Sequence, residues 1–212
     1  MFTFPIGLIN PKTQDCFNFY RANDQGYIDF GLIPSTDFQN VRFEFDLRIP
    51  ATTGDYNWIV AWNVKLATSG ILIYLSNNNN FVVSIYNGTG MVVATQSWSG
   101  EAGNVIHCKV DYSEVGVRIE SDLFPTVNAA YQVVTYPDAT RKTNFGKISG
   151  YNLISTKLEL WNVVVTELNS LGGVVAVVGD WKLNGDANDS SGNGNDGSLI
   201  NWLPENWGSS CE

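Results

Sequence analysis

Val41-Arg42-Phe43-Glu44-Phe45-Asp46-Leu47-Arg48-Ile49 is the stretch that decides the fold. Val41, Phe43, Phe45, Leu47 and Ile49 alternate strictly with Arg42, Glu44, Asp46 and Arg48. Successive side chains of a strand point to opposite faces, so this pattern predicts a strand with one buried and one solvated face. Pro50 ends it, because its ring removes the N–H a ladder needs.

The same reading extends in both directions. Residues 27–30, 58–64, 70–76, 81–86, 91–98, 105–112 and 115–121 read as further strands. Asn77-Asn78-Asn79-Asn80 and Asn87-Gly88-Thr89-Gly90 read as turns, since Asn and Gly accept left-handed backbone. Between 124 and 150 the pattern loosens around Pro125 and Pro137, with one strand expected near 131–136. Residues 158–167 and 174–183 resume the strand pattern, separated by a Gly/Ser/Asn linker at 168–173. No segment sustains a 3.6-residue period, and none repeats. The prediction is an all-β, two-sheet antiparallel sandwich. Residues 1–170 form the sandwich, and residues 171–212 supply a strand, an Asx/Gly-rich loop and a tail packed on the same domain.

Composition agrees. The 212 residues suffice to bury a core between two sheets. Hydrophobic residues make up 44%, aromatics 13% and charged residues only 16%, a balance that favours strands. A formal net charge of −9 repels phosphate backbones and anionic lipid. Nucleic acid is therefore not an expected partner, and the longest apolar run, 174–178, is too short to insert in a membrane. The opening Met1-Phe2-Thr3-Phe4-Pro5 lacks the basic start and cleavage site of a signal peptide. Of the three cysteines, Cys108 reads as a buried thiol within a strand. Cys16 and Cys211 lie near opposite ends, and a bridge between them stays open beside the reading of three free thiols.

The run Trp181-Lys182-Leu183-Asn184-Gly185-Asp186-Ala187-Asn188-Asp189-Ser190-Ser191-Gly192-Asn193-Gly194-Asn195-Asp196-Gly197 resembles a segment of laminin G-like, concanavalin A-like jelly rolls. Tyr27-Ile28-Asp29-Phe30-Gly31 and Leu158-Glu159-Leu160-Trp161-Asn162-Val163 are similar to other parts of that superfamily. The resemblance implies a concanavalin A-like jelly roll. In many members the Asx-rich segment opens the domain, whereas here it lies near the C-terminus. The expectation is that the tail returns to complete the same sandwich in permuted order, with Trp181 and Trp202 anchoring the loop.

Three site readings follow. Asp186, Asp189, Asn193, Asn195 and Asp196 offer hard oxygen ligands in one short loop, which suits calcium; the competing reading is a metal-free Asx turn. No other cofactor is expected. Trp58, Trp62, Tyr86 and Trp98, beside Asn-rich turns, are candidates for stacking on sugar rings; most tryptophans in a sandwich serve the core instead. Glu44 and Asp46 share a face as in jelly-roll glucanases. The third position is Arg48 or Ile49, so the second catalytic carboxylate is missing and the pair reads as part of a solvated, charge-paired face. His107 is followed by Cys108, and neighbours in a strand point to opposite faces. They form no nucleophile–base pair.

The expected function is therefore non-enzymatic. The first reading is a structural or adhesion protein of a virus particle, a capsid- or tail-associated fibre or decoration protein of a bacteriophage. It would be made in the host cytoplasm and carried on the virion. Its expected partners are other virion proteins, a host-surface glycan and further copies of itself. The second is a carbohydrate-binding module of a bacterial surface or secreted protein. The third, disfavoured by the missing carboxylate, is a glycoside hydrolase.

Overall fold

The computed structural model describes residues 18–21, 26–31, 33, 40–50, 57–65, 69–78, 80–86, 91–98, 100–113, 116–130, 143–146, 159–203 and 207–209. The strands are β1 (Asn18–Arg21), β2 (Tyr27–Asp29), β3 (Val41–Arg48), β4 (Asn57–Lys65), β5 (Ser69–Leu75), β6 (Asn80–Tyr86), β7 (Met91–Ser97) and β8 (Val105–Ser113). There follow β9 (Gly116–Ser121), β10 (Val127–Ala130), β11 (Asn144–Phe145), β12 (Glu159–Leu168), β13 (Val174–Trp181), β14 (Ser198–Ile200) and β15 (Trp207–Ser209). No helix occurs among the described residues, and none is long and apolar enough to cross a membrane.

Two antiparallel sheets result. The first runs β10-β9-β8-β3-β12-β1-β15, with β13 also paired to β12; the second runs β14-β2-β11-β4-β5-β6-β7. The deciding stretch sits near the middle of the first sheet, with β8 on one side and β12 on the other. Its alternation appears in space: Val41, Phe43, Phe45 and Leu47 are buried and their charged neighbours half-buried. They pack with Ile106, Cys108 and Val110 of β8 and with Val60, Trp62, Ile71, Ile73, Phe81 and Val83 of the facing sheet. Phe43 meets Trp62 edge-on with centroids 5.4 Å apart. Each fully buried large side chain of this kind contributes about 1.5–3 kcal/mol before conformational entropy is set against it. The fold is the predicted all-β jelly-roll sandwich.

The opposite face of the first sheet is polar. Arg42 holds Asp111 through two bonds of 2.6 and 2.8 Å. Arg48 bonds Glu159 at 2.7 Å, and Glu120 pairs with both Lys109 and Arg118. Asp46 is shared between His107 Nδ1 and Asn162 Nδ2, each at 2.7 Å. This is the charge-paired surface the sequence reading assigned to Glu44 and Asp46. Cys108 points the other way into the core, where burial pushes its thiol pKa far up.

The C-terminal segment contributes to both layers. Trp181 is fully buried, with ring centroids 4.7 Å from Phe30 and 5.6 Å from Phe145. Gly179 makes room for it: a Cβ at that position would lie 2.2 Å from Trp181 Cη2. β14 pairs with β2 in the second sheet, and β15 pairs with β1 in the first. The strand expected near 131–136, Cys16 and Cys211 lie outside the described residues.

Candidate functional site

The site begins with a glycine. Gly116 opens β9, and a Cβ there would meet the backbone oxygen of Ala129 at 2.6 Å. Only a residue without that atom lets β10 pair closely, in the register Ala129↔Val117 and Ala130↔Gly116. At the same end of the first sheet, the connection from β12 to β13 closes tightly. Asn169 Oδ1 accepts the N–H groups of Leu171 and Gly173, each at 2.9 Å, and the Asn169 N–H donates to Gly173 O at 2.8 Å. Gly172 supplies the positive φ of 80° that the turn requires. Leu168 N–H donates to Asn40 O at 3.0 Å, which ties this turn to the entry of β3.

Between these elements lies a cleft of about 340 Å³, lined by Asn40, the β8–β9 hairpin, β10 and the β12–β13 turn. Its ionic groups are already paired. Asp111 is the one carboxylate among its described lining residues, and Arg42 neutralises it with two bonds. That bond in turn raises the Arg42 pKa despite some desolvation, so the guanidinium keeps its charge. Arg118 is engaged by Glu120. Beside the half-exposed Arg118 guanidinium, the cleft offers a ligand the amides of Asn40 and Asn128, the hydroxyl of Ser170, and apolar surface from Ala129 and Ala130. Glycoside hydrolysis by the usual route needs two carboxyl groups flanking one bond; the described lining presents one, held by an arginine. The arrangement suits recognition of a hydroxyl-rich, uncharged molecule.

The structure places the sequence candidates elsewhere. Trp62 and Trp98, expected to face a ligand, have no exposed surface. Trp98 is stacked between Phe81 and Phe124, with centroids 4.3 and 5.3 Å away, and its Nε1 donates to Gln96 Oε1 at 3.2 Å. Both rings are core: Trp62 on the inner face of β4 and Trp98 just past the end of β7 fill the gap between the sheets. Trp58 is 8% exposed. It lies opposite Tyr74, with centroids 5.0 Å apart, on the face of the second sheet turned from the interior, in a small apolar cluster with Ala61 and Leu72. Tyr86 pairs through its backbone with Gly70 and Met91; its side chain lies outside the described residues. Trp58, Trp62 and Trp98 are not among the described residues that line the cleft.

The five candidate calcium ligands do not form a cage. Asp189 Oδ1 accepts the N–H groups of Asp180 and Ser191, and Oδ2 accepts the Ser191 hydroxyl and the Asn195 N–H, all at 2.8–3.0 Å. Burial opposes ionisation of Asp189, but these donors outweigh it and hold its carboxyl below the usual range. Asp196 Oδ1 accepts Asp189 N–H, and Asp186 Oδ1 accepts Asn188 N–H. Asn193 and Asn195 aim their NH2 groups at the carbonyls of Val177 and Val178. A hard cation needs oxygens converging on one point, whereas both oxygens of Asp189 and of Asp186 and one of Asp196 serve to turn the chain. Among the described residues no cluster of three or more acidic, histidine or cysteine side chains is placed to hold a metal. The arrangement observed is an Asx turn built from these side chains.

Sequence reading missed Asn40, Asn128 and Ser170, because polar residues in loops give no signal until the fold gathers them. The one legible clue was Asn169-Ser170-Leu171-Gly172-Gly173, which reads as a linker but folds as an Asx-stabilised turn.

No family model matches this chain, and no curated protein does. Solved structures do. A Bacteroides ovatus protein proposed to bind carbohydrate matches with a TM-score of 0.65 and 12% identity, over 91% of this chain and 59% of that one. Domains LG4-5 of the mouse laminin α1 chain match with a TM-score of 0.52 and 13% identity, over 80% of this chain and 44% of that one. Tailspike protein 2 of an Escherichia coli O157:H7 bacteriophage matches with a TM-score of 0.55 and 7% identity, over 78% of this chain and 26% of that one. The chain therefore spans between about a quarter and three fifths of the structures it resembles. At these identities the likeness is one of architecture: the chain has the two-sheet jelly-roll fold of laminin G-like, concanavalin A-like domains.

Proposed function

We propose that this chain is a non-enzymatic, lectin-like adhesion module whose cleft binds a neutral glycan on a host surface. The observation that carries the reading is the lining of the cleft. Amide and hydroxyl groups stand beside small apolar side chains, and its carboxylate and guanidinium are both internally paired. Sugars are bound by directional hydrogen bonds combined with apolar contact. No exposed aromatic side chain is among the described lining residues, so each site binds weakly, and useful adhesion comes from many copies acting together.

The carrier in this reading is a virus particle, with the chain as a capsid- or tail-associated component of a bacteriophage. Two features support it: the composition rich in Asn, Gly and aromatic residues, and the occurrence of the same architecture in a phage tailspike. The second is an analogy of fold, and folds host many functions.

A glycan array probed with the chain displayed multivalently tests the binding. Signals on neutral oligosaccharides, with little on sialylated or uronic-acid glycans, are expected. Uniformly blank neutral spots would overturn the reading. Mass spectrometry of purified particles from the source tests the carrier, since absence of this chain from the particle would assign it to a cell-surface protein instead.

A further inference from the structure

Strand register lines up one row of side chains across the polar face of the first sheet. Arg42 lies opposite Asp111, Asp111 opposite Arg118, and Arg118 opposite Asn128. Arg42 takes both oxygens of Asp111, so Arg118 is left to Glu120, two residues further along its own strand. Among the described residues this ion pair, through Nη2, is the contact the Arg118 guanidinium makes. Its side chain is 52% exposed and lines the cleft. A guanidinium carries five N–H donors, so donors remain for a ligand. Asn128 is exposed at the cleft directly opposite and adds the NH2 of its amide; the Cβ atoms of such a pair stand about 5 Å apart. Further along the same face, Ala130 lies opposite Gly116. A methyl group facing bare backbone leaves a shallow apolar notch beside the two donors.

We propose that the cleft is specific for sugars that carry an acetamido group, the N-acetylhexosamines. Arg118 and Asn128 donate to the acetamido carbonyl, and the methyl group on the same carbon is seated between Gly116 and Ala130. This specificity rests on the neutral-glycan reading of the cleft and names the substituent that the site selects. Charge favours an amide carbonyl over a carboxylate. The Arg118 guanidinium is already balanced by Glu120, and Asp111 stands beside it in the row. On a chain of net charge −9 an acidic sugar meets like charge, whereas a neutral acceptor meets the donors without that repulsion. Two hydrogen bonds and one buried methyl group together make the acetylated sugar bind about tenfold tighter or more.

Titration of the full chain with matched neutral oligosaccharides tests this. Each pair differs in acetamido against hydroxyl at one carbon: chito- against cello-oligosaccharides of equal length, and N-acetylgalactosamine- against galactose-terminated ones. At least one acetylated partner should bind about tenfold tighter, and Arg118→Gln and Ala130→Val should each shrink that preference to about threefold or less. Both side chains are exposed, so unchanged melting temperatures separate lost recognition from misfolding. A chain that binds neutral sugars without regard to the acetamido group overturns the assignment and leaves the neutral-glycan reading standing. So does a preference that survives both substitutions. Binding confined to acidic oligosaccharides, or no binding of any sugar, overturns both.

Discussion

Asp189 accepts the backbone N–H of Asp180 at 2.9 Å, and through that bond the Asx-rich loop is fastened along the edge of β13. The run that resembles a jelly-roll signature acts here as a covering strap for a sheet edge. Three further donors converge on the same carboxylate, so one side chain organises the loop.

The sign of the pH effect follows. Donors to its ionised form depress the Asp189 pKa in the folded chain. The carboxylate therefore contributes stability above the unfolded carboxylate pKa of about 4, and that contribution is lost as pH falls through the lower folded value. Asp189→Asn must turn an NH2 group toward N–H donors. It is expected to cost about 1–2 kcal/mol at neutral pH and to flatten the acid limb of stability below pH ~4. Urea melts at neutral and acid pH check this; an unchanged difference between the two proteins at both pH values contradicts it.

Calcium is expected to leave the chain unaffected. Both oxygens of Asp189, the centre of the loop, and one oxygen of Asp196 are engaged by the chain's own N–H groups. A ligand that binds only the folded state raises its melting temperature by mass action. Melting curves with millimolar calcium and with chelator should superimpose, and a calcium-dependent rise would show a site the loop geometry does not provide.

Gly116→Ala should open the β9–β10 edge. The added Cβ would press against the backbone oxygen of Ala129, which cannot rotate away as a flexible side chain would. A cost of about 1–3 kcal/mol is expected. Faster amide exchange at Val127–Ala130, with slow exchange retained in β3, is the signature to look for; protection retained in β10 counts against it.

Trp98 separates core from site. Trp98→Ala removes a ring stacked between two phenylalanines and is expected to cost about 3–5 kcal/mol. Glycan affinity per folded molecule should stay the same, because the ring lies outside the cleft. Affinity that falls in step with the truncation, at conditions where the variant remains folded, would return Trp98 to the ligand.

The fold was legible because alternation is a local code. Residues 41–49 announce a buried face through Val41, Phe43, Phe45 and Leu47, and the structure buries these side chains. Short strands escaped. Asn144–Phe145 is two residues long and exists only because β2 and β4 lie on either side of it. Val127–Ala130 carries Asn and Ala, weak strand formers that pair because Gly116 makes room. The candidate site was illegible for a related reason. Asn40, Asn128 and Ser170 are far apart in the chain, and their meeting depends on which loops share one end of a sheet. The tryptophans misled because an aromatic beside an Asn-rich turn looks the same in sequence whether it points in or out.

The most direct test of the neutral-glycan cleft is a backbone amide titration by NMR with a neutral oligosaccharide taken from the array. Perturbed resonances should cluster at Asn40, Gly116, Asn128–Ala130 and Ser170–Gly172, and disappear from Asn128→Ala while its melting temperature holds. Perturbation centred on Trp58 and Tyr74, or none at saturating sugar, would contradict the account.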